Sequence, residues 1–285
     1  MCQPASASRE RLITVELAPR PANEERRAQA VVKTGMLDND QGDLFQIYCD
    51  LAKDITGFDT ATFSLFDADY QCHIAAAGRE TEDKTVRHVH NVCSYVLLSP
   101  EPLMAADLSE SEQFKDFPNI KISGVKKGYA GFPVINKDNY ALGSLCMVHD
   151  SPKAMHEDKI ELVKKITVNM AHQLDMQTEQ RELTSQKMLK ALDIFAESNP
   201  DCAFGDFKHF IRMCCDFEID MDDGARLQAS GLVEPTETGR MGLSSQGRNL
   251  QFEMGLQTKV MNKIKITGDQ ANIMLDDMLS QIGGV

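Results

Sequence analysis

No apolar run in this chain of 285 residues approaches the ~18 that a membrane-spanning helix needs. The opening MCQPASASRERLITVEL likewise lacks the long apolar core of a secretion signal, so a cytoplasmic address without membrane contact is the expectation. No C-x-x-C pair occurs, which removes the usual basis for a zinc ribbon or a thioredoxin-type redox pair. The cysteines, Cys2, Cys49, Cys72, Cys93, Cys146, Cys202, Cys214 and Cys215, are spread through periodic segments. Without an export signal they read as reduced thiols rather than a disulfide framework. Basic residues are in short supply: 30 Lys and Arg against 43 Asp and Glu leave a formal charge of -13. Such a surface favours solubility and works against unaided nucleic-acid binding, whose affinity comes from clustered Lys and Arg. The signatures G-x-x-x-x-G-K-[ST], G-x-S-x-G and H-E-x-x-H are all missing.

What is present is an ordinary globular composition, 42% hydrophobic and 26% charged, in a chain long enough for two modest domains. Pro21 to Arg27 predicts a helix opening, with Asn23 placed to cap and Glu24 and Glu25 facing the positive end of the dipole. Leu44, Ile47, Tyr48, Leu51 and Ile55 recur at steps of three and four and predict a second helix buried on that face, stopped by Gly57. Residues 60–66 and 70–76 read as strands about an Asp67-Ala68-Asp69 turn, with Phe63 and Leu65 alternating against Thr62 and Ser64. A short segment, Asn91 to Leu98, is ended by Pro100 and Pro102, and a loop-rich stretch follows from Asp107 to Gly124.

Two further strands surround the turn Asn136-Lys137-Asp138-Asn139. In a regular strand Leu142, Ser144, Cys146 and Val148 share one face, and Gly143, Leu145, Met147 and His149 the other. Cys146 and His149 are thereby separated, which argues against a cysteine-histidine dyad. From His156 a long helix carries the stripe Ile160, Val163, Ile166, Met170 and Leu174, then turns polar nearly all round between residues 177 and 187. Such a segment suits a linker between domains or protomers, and a homodimer through residues 156–187 is expected.

Five ordered stretches carry a family resemblance: Pro21-Ala-Asn-Glu-Glu-Arg-Arg27, Phe63-Ser-Leu-Phe-Asp67, Cys93-Ser-Tyr-Val-Leu97, Glu101-Pro-Leu-Met-Ala-Ala-Asp107, and Tyr129-Ala-Gly-Phe-Pro-Val134 with Leu142-Gly-Ser-Leu-Cys146. Together they make residues 21–178 resemble a GAF domain of the bacterial signalling type. The resemblance implies a central antiparallel sheet with helices on one face and a ligand pocket under loops on the other. It also implies sensing, docking or dimerisation before catalysis. The pocket-lining candidates are Phe63, Leu65, Cys93, Tyr95, Asp107, Tyr129, Phe132 and Cys146.

The related family often shows Cys-x-His where this chain has Cys93-Ser94-Tyr95, and the bilin-attaching cysteine of some members is absent from Asn119 to Gly124. The Asn-Lys-Phe-Asp-Glu set of cyclic-nucleotide-binding relatives is also missing, so no cofactor is assigned and the small-molecule ligand stays open. Metal ligation would need several converging ligands, and His73, His88 and His90 supply only raw material. His172 reads as a helix-surface residue. Cys93, with His88 and His90 upstream, is the best-placed nucleophile. A structural role for it and for Cys146 is favoured, because a buried cysteine behaves as a small apolar residue.

The last third is similar to winged helix-turn-helix domains through Ala225-Arg-Leu-Gln-Ala-Ser-Gly-Leu-Val233 and Leu243-Ser-Ser-Gln-Gly-Arg248. Helices are expected at 203–215 and 220–230, then a small hairpin, a helix from about Gln246 to Met261 and a short final helix within 268–284. The resemblance places Arg226, Gln228, Arg240 and Arg248 as candidate nucleic-acid contacts. Asp220, Asp222 and Asp223 oppose a phosphate backbone there, so a protein partner is preferred over DNA.

The expected architecture is therefore α+β. It comprises a flexible start (1–20), a GAF-like sensory domain (21–178), a linker helix (179–188), a small mainly helical winged-helix-like domain (189–262) and a tail (263–285). The function expected is non-enzymatic sensing and regulation. The alternative is a thiol-based redox enzyme using Cys93 or Cys146.

Overall fold

Two antiparallel hairpins, β1 (Thr60–Phe66) with β2 (Tyr70–Ala77) and β5 (Gly128–Ile135) with β6 (Ala141–His149), form the centre of the fold. The computed structural model describes residues 16–37, 43–121, 128–236 and 240–257. The chain divides into two compact units, Met1–Glu182 and Leu183–Val285. The hairpins join through β1 and β6, and two three-residue strands, β3 (Lys84–Val86) and β4 (Leu103–Ala105), close the edges. The resulting six-stranded antiparallel sheet has the order β3-β2-β1-β6-β5-β4. Both short edge strands lie in stretches without visible alternation, so no periodic signal marks them in the sequence.

The turn chemistry follows the sequence. Asp67 Oδ1 accepts from the Asp69 and Tyr70 amides at 2.8 and 2.6 Å. Asn136 Oδ1 accepts from the Asp138 and Tyr140 amides, and Asn139 takes a left-handed φ of 61°. Gly143 is required by a close approach, since a Cβ there would sit 2.1 Å from the Ser64 carbonyl oxygen on β1. Pro133 is tolerated because β4 pairs only with Tyr129 to Gly131, so β5 has no partner on that side at Pro133.

One sheet face carries the main core. Phe63, Leu65, Ala130, Phe132, Leu145 and Met147 pack there against α1 (Glu24–Thr34), α2 (Asp43–Thr56) and α5 (Glu157–Ser198). The stripe on α5 is used as its spacing implied: Val163, Met170 and Leu174 are buried, with Ile160 and Ile166 packed beside them. The opposite face carries a smaller cluster of Tyr129 and Cys146 with Val92, Val96, Leu108, Phe114 and Ile120. These last come from α3 (Val92–Tyr95), the 3-10 turns Val96–Leu98 and Leu108–Glu110, and α4 (Pro118–Lys121) with its approach.

Three local expectations are corrected. Asn23 precedes α1 but its side chain makes no capping hydrogen bond. On α2 the buried residues are Phe45, Cys49 and Ala52, while Leu44, Ile47 and Leu51 are 47%, 56% and 43% exposed. Both sets have helical spacing; the set carrying two small residues lets the helix axis approach the sheet and Phe45 meet Phe63 at 5.0 Å. On β6 the register slips between Val134 and Ile135, so Leu142 is an extra residue and joins the main core beside Leu145, out of simple alternation.

In the second unit the C-terminal end of α5 is followed by α6 (Phe204–Cys214), α7 (Met221–Ala229), the ribbon β7 (Val233–Pro235) with β8 (Met241–Leu243), and α8 (Ser245–Glu253). Phe195, Phe207, Phe210, Leu227 and Leu250 form its core. Ser244 caps α8, accepting from the Gly247 amide at 3.0 Å. The helix stops at Glu253, short of Met261, because Gly255 adopts a left-handed φ of 68°. The tail helix expected within 268–284 lies outside the described residues.

Candidate functional site

The sheet face away from the main core holds an unusual density of polar and sulfur groups. Inward alternation on β5 and β6 places Tyr129 and Cys146 there, both buried, with the Tyr129 Oη 3.0 Å from the Cys146 Sγ. Ser144, one step along the same face and fully buried, puts its Oγ 3.0 Å from the same sulfur. From β1 and β2 a second chain runs into the region: His73 Nδ1 lies 3.1 Å from Ser64 Oγ, and Gln71 Nε2 donates to Ser64 Oγ at 2.9 Å. Asn91 Nδ2, ahead of α3, donates to Gln71 Oε1 at 2.7 Å. Gly131 makes room for the roof, since a Cβ there would lie 2.5 Å from Val96 and 2.7 Å from the Tyr129 Oη.

Cys93, on α3, adds to this constellation, and Cys146, Tyr129 and Gln71 are the groups that act on its thiol. The hydrogen bond from Cys146 favours the Cys93 thiolate, burial opposes it, and Tyr129 and Gln71 add to the first effect, bringing the thiol down to about 7. Burial and the neighbouring Cys93 push Cys146 well above the ordinary thiol range, and burial does the same to the Tyr129 phenol. Burial also lowers the His73 imidazole, with Arg79 contributing, so it stays neutral near pH 7. Among the described residues no group of three or more His, Cys, Asp or Glu is placed to hold a metal ion.

Of the eight pocket candidates, Cys93, Tyr95, Tyr129 and Cys146 come together on this face. Tyr95 donates to the Val89 carbonyl at 2.9 Å and packs edge-on against Phe114. Asp107 serves the backbone, accepting from the Ser109 amide at 2.9 Å. Phe63, Leu65 and Phe132 do not join them: they point to the opposite face and lie in the main core. Alternation decides this, because Cys146 and Leu145, or Ser64 and Leu65, necessarily take opposite sides. Sequence reasoning missed Ser64, Gln71, Asn91 and Ser144. The same alternation would have found Ser64 and Ser144, whereas Gln71 and Asn91 depend on tertiary contacts.

The GAF domain family matches residues 40–174. The first unit contains a GAF domain. A cyclic di-GMP phosphodiesterase of Pseudomonas aeruginosa is 25% identical over 135 residues, or 47% of this chain. That stretch is 23% of the phosphodiesterase, so the chain spans about a quarter of the curated relative it matches. Among solved structures, the GAF domain of an Acinetobacter phosphoenolpyruvate-protein phosphotransferase is 16% identical, covering 56% of this chain and 93% of that one at a TM-score of 0.41. A type II free methionine-R-sulfoxide reductase of Thermoplasma acidophilum is 15% identical, covering 46% and 90% at 0.40. Likenesses at these scores carry no argument about function. Among the described residues no helix is long and apolar enough to cross a membrane.

A concavity of the GAF unit, about 570 Å³, lies between α1, α5 and the β5–β6 turn. Lys137 pairs there with Glu179, and its backbone amide donates to Asp175 at 3.0 Å. In the other unit, Arg226 is 66% exposed but pairs with Asp206 at 3.1 Å, and Arg240 pairs with Glu218. Arg248 donates to the Leu243 carbonyl at 2.5 Å, and Gln228 is exposed on α7. Two of the three arginines of the candidate DNA surface, Arg226 and Arg240, thus already have carboxylate partners.

Proposed function

We propose that this chain is a sensory regulator whose GAF domain receives its input at the Cys93–Tyr129–Cys146 site and passes it along α5 to a winged-helix-like output unit. The observation that carries this reading is the buried run of hydrogen-bonding groups on the sheet face opposite the main core. Two thiols, a phenol, two hydroxyls and two carboxamides converge there, where packing alone would call for apolar side chains. A small polar molecule that replaces part of this network, or a change in the thiols themselves, would shift α3 and the strands beneath it. The single helix α5 packs on the same sheet and runs on into the second unit.

The output is read as docking of a protein partner in preference to DNA, because Arg226 and Arg240 are paired with Asp206 and Glu218. A homodimer through residues 156–187 has support from exposed Leu162, Val168, Met176 and Leu183 on α5. Native mass spectrometry of protein purified from its own host tests the reading. A bound small molecule that is lost in Tyr129→Leu, together with a dimeric mass, is expected. Ligand-free protein that shows no thermal shift with any member of a metabolite library would overturn ligand sensing. Retention on duplex DNA that weakens steeply with salt would replace the protein-docking output by a DNA-binding one.

The second reading is a thiol redox enzyme on the same site, favoured by the lowered Cys93 thiol beside Cys146. Turnover of a peroxide or sulfoxide substrate that vanishes in Cys93→Ser would select it. Absence of turnover with a fully reduced protein would dismiss it.

A further inference from the structure

The stretch that opens α1 builds a second cluster, remote in chemistry from the thiols. Arg27 and Arg87 are both fully buried, and Glu24, with a side chain 19% exposed, bridges them. Arg27 is fully engaged: Nε and Nη2 clasp the Glu24 carboxylate at 2.8 and 2.9 Å, and Nη1 and Nη2 reach the carbonyls of Phe66 and Asp67 at 2.7 and 3.0 Å. Arg87 is engaged on one nitrogen alone, its Nη1 donating to Glu24 Oε1 and to the Asp67 carbonyl, each at 2.5 Å. Its Nε and Nη2 are buried without a partner among the described residues, and so are Nη1 and Nη2 of Arg20. Burial is the main cause that depresses Arg87, and the neighbouring charges of Arg27 and then Arg20 add to it.

A buried guanidinium with free N–H groups is costly unless an acceptor of opposite charge reaches it. Here two guanidiniums, Arg27 and Arg87, share the Glu24 carboxylate, the charge of Arg20 acts on Arg87 as well, and all the open positions are donors. Water would satisfy donors but not the charge. A phosphate dianion matches both the charge and the forked donor geometry of arginine. We propose that the Arg20–Arg87 side of this cluster binds a phosphate-class oxyanion, free or as the terminal group of a small metabolite. Glu16 to Ala18 run beside residues 87–89 through one isolated bridge, Leu17 with His88, and the bonds Ala18 N to Arg87 O at 2.9 Å and Val89 N to Glu16 O at 2.8 Å. Displacing that strand admits the ligand. The strand borders the segment leading to α3, so occupancy would be felt near Cys93.

Calorimetric titration of the full chain with inorganic phosphate, against sodium chloride of equal ionic strength, tests the site, with glycerol 3-phosphate in a parallel arm. Saturable phosphate binding is expected. In Arg20→Met it should weaken at least tenfold, in a protein that still folds because the open Arg20 nitrogens hold nothing in place. Glu24→Gln, which removes the competing carboxylate, should bind several-fold more tightly. Binding of phosphate alone assigns a free anion; binding of both probes assigns the end of a metabolite. Failure of the wild-type chain to bind either probe, or binding unchanged in Arg20→Met, overturns the proposal.

Discussion

Cys146 and His149, three residues apart on β6, face opposite sides of the sheet. The cysteine sulfur lies 3.0 Å from the Tyr129 hydroxyl in the candidate site, whereas the His149 ring meets Phe58 edge-on at 5.9 Å, with its Nε2 3.9 Å from Asp59. The thiol partner of Cys146 is therefore Cys93, distant in sequence and brought in by α3.

Cys93 should be the fast thiol of this protein. Alkylation by iodoacetamide, followed by peptide mapping, should rise to half its limiting rate at about pH 7 for Cys93, while Cys146 stays protected to strongly alkaline pH. Tyr129→Phe removes a hydrogen bond that favours the Cys93 thiolate, so the midpoint should move upward. A Cys93 profile no different from that of exposed Cys215 would show that the network does not act on it.

Adjacent residues on α2 should differ sharply. Phe45→Ala removes a ring at 0% exposure that contacts Phe63 and should cost about 3–5 kcal/mol in urea unfolding. Leu44→Ser, on the exposed face, should stay within about 0.5 kcal/mol for the monomer. Equal losses at both positions would contradict the placement of the helix.

Gly143→Ala forces a Cβ to within 2.1 Å of a backbone carbonyl on β1, where nothing flexible can yield. A loss of about 1–3 kcal/mol or more is expected, since β1 and β6 must separate. Thermal unfolding measures it, and a neutral result would mean that the strands sit farther apart.

The Glu24 carboxyl ties stability to acid pH. Burial alone would raise it, but hydrogen bonds and charge from Arg27 and Arg87 hold it below its ordinary value of 4.5. A group depressed by folding contributes stability that is present above its unfolded pKa and lost as pH falls through the folded one. Denaturant midpoints should therefore fall as pH drops below about 4.5, and part of that fall should be absent in Glu24→Gln. An identical pH profile in the variant would remove Glu24 from the account.

Legibility in the sequence followed how local each determinant was. The β1–β2 and β5–β6 hairpins were readable because alternation and Asp and Asn turn chemistry act within a few residues. The edge strands Lys84–Val86 and Leu103–Ala105 were not, since three residues carry no period and form only against an existing neighbour. Half the pocket candidates, Cys93, Tyr95, Tyr129 and Cys146, come together, while Phe63, Leu65 and Phe132 lie across the sheet. Motif order located the strands without saying which face was the pocket.

By itself the sequence determined the antiparallel hairpins, the long helix, the separation of Cys146 from His149 and the acidic surface, because periodicity, turn residues and charge are properties of the chain. Only tertiary structure decided which stripe of α2 is buried, that Cys93 meets Cys146 and Tyr129, and that Arg27 and Arg87 are enclosed around Glu24. Those outcomes depend on which distant surfaces close upon one another, and burial then sets the energies of the groups trapped between them.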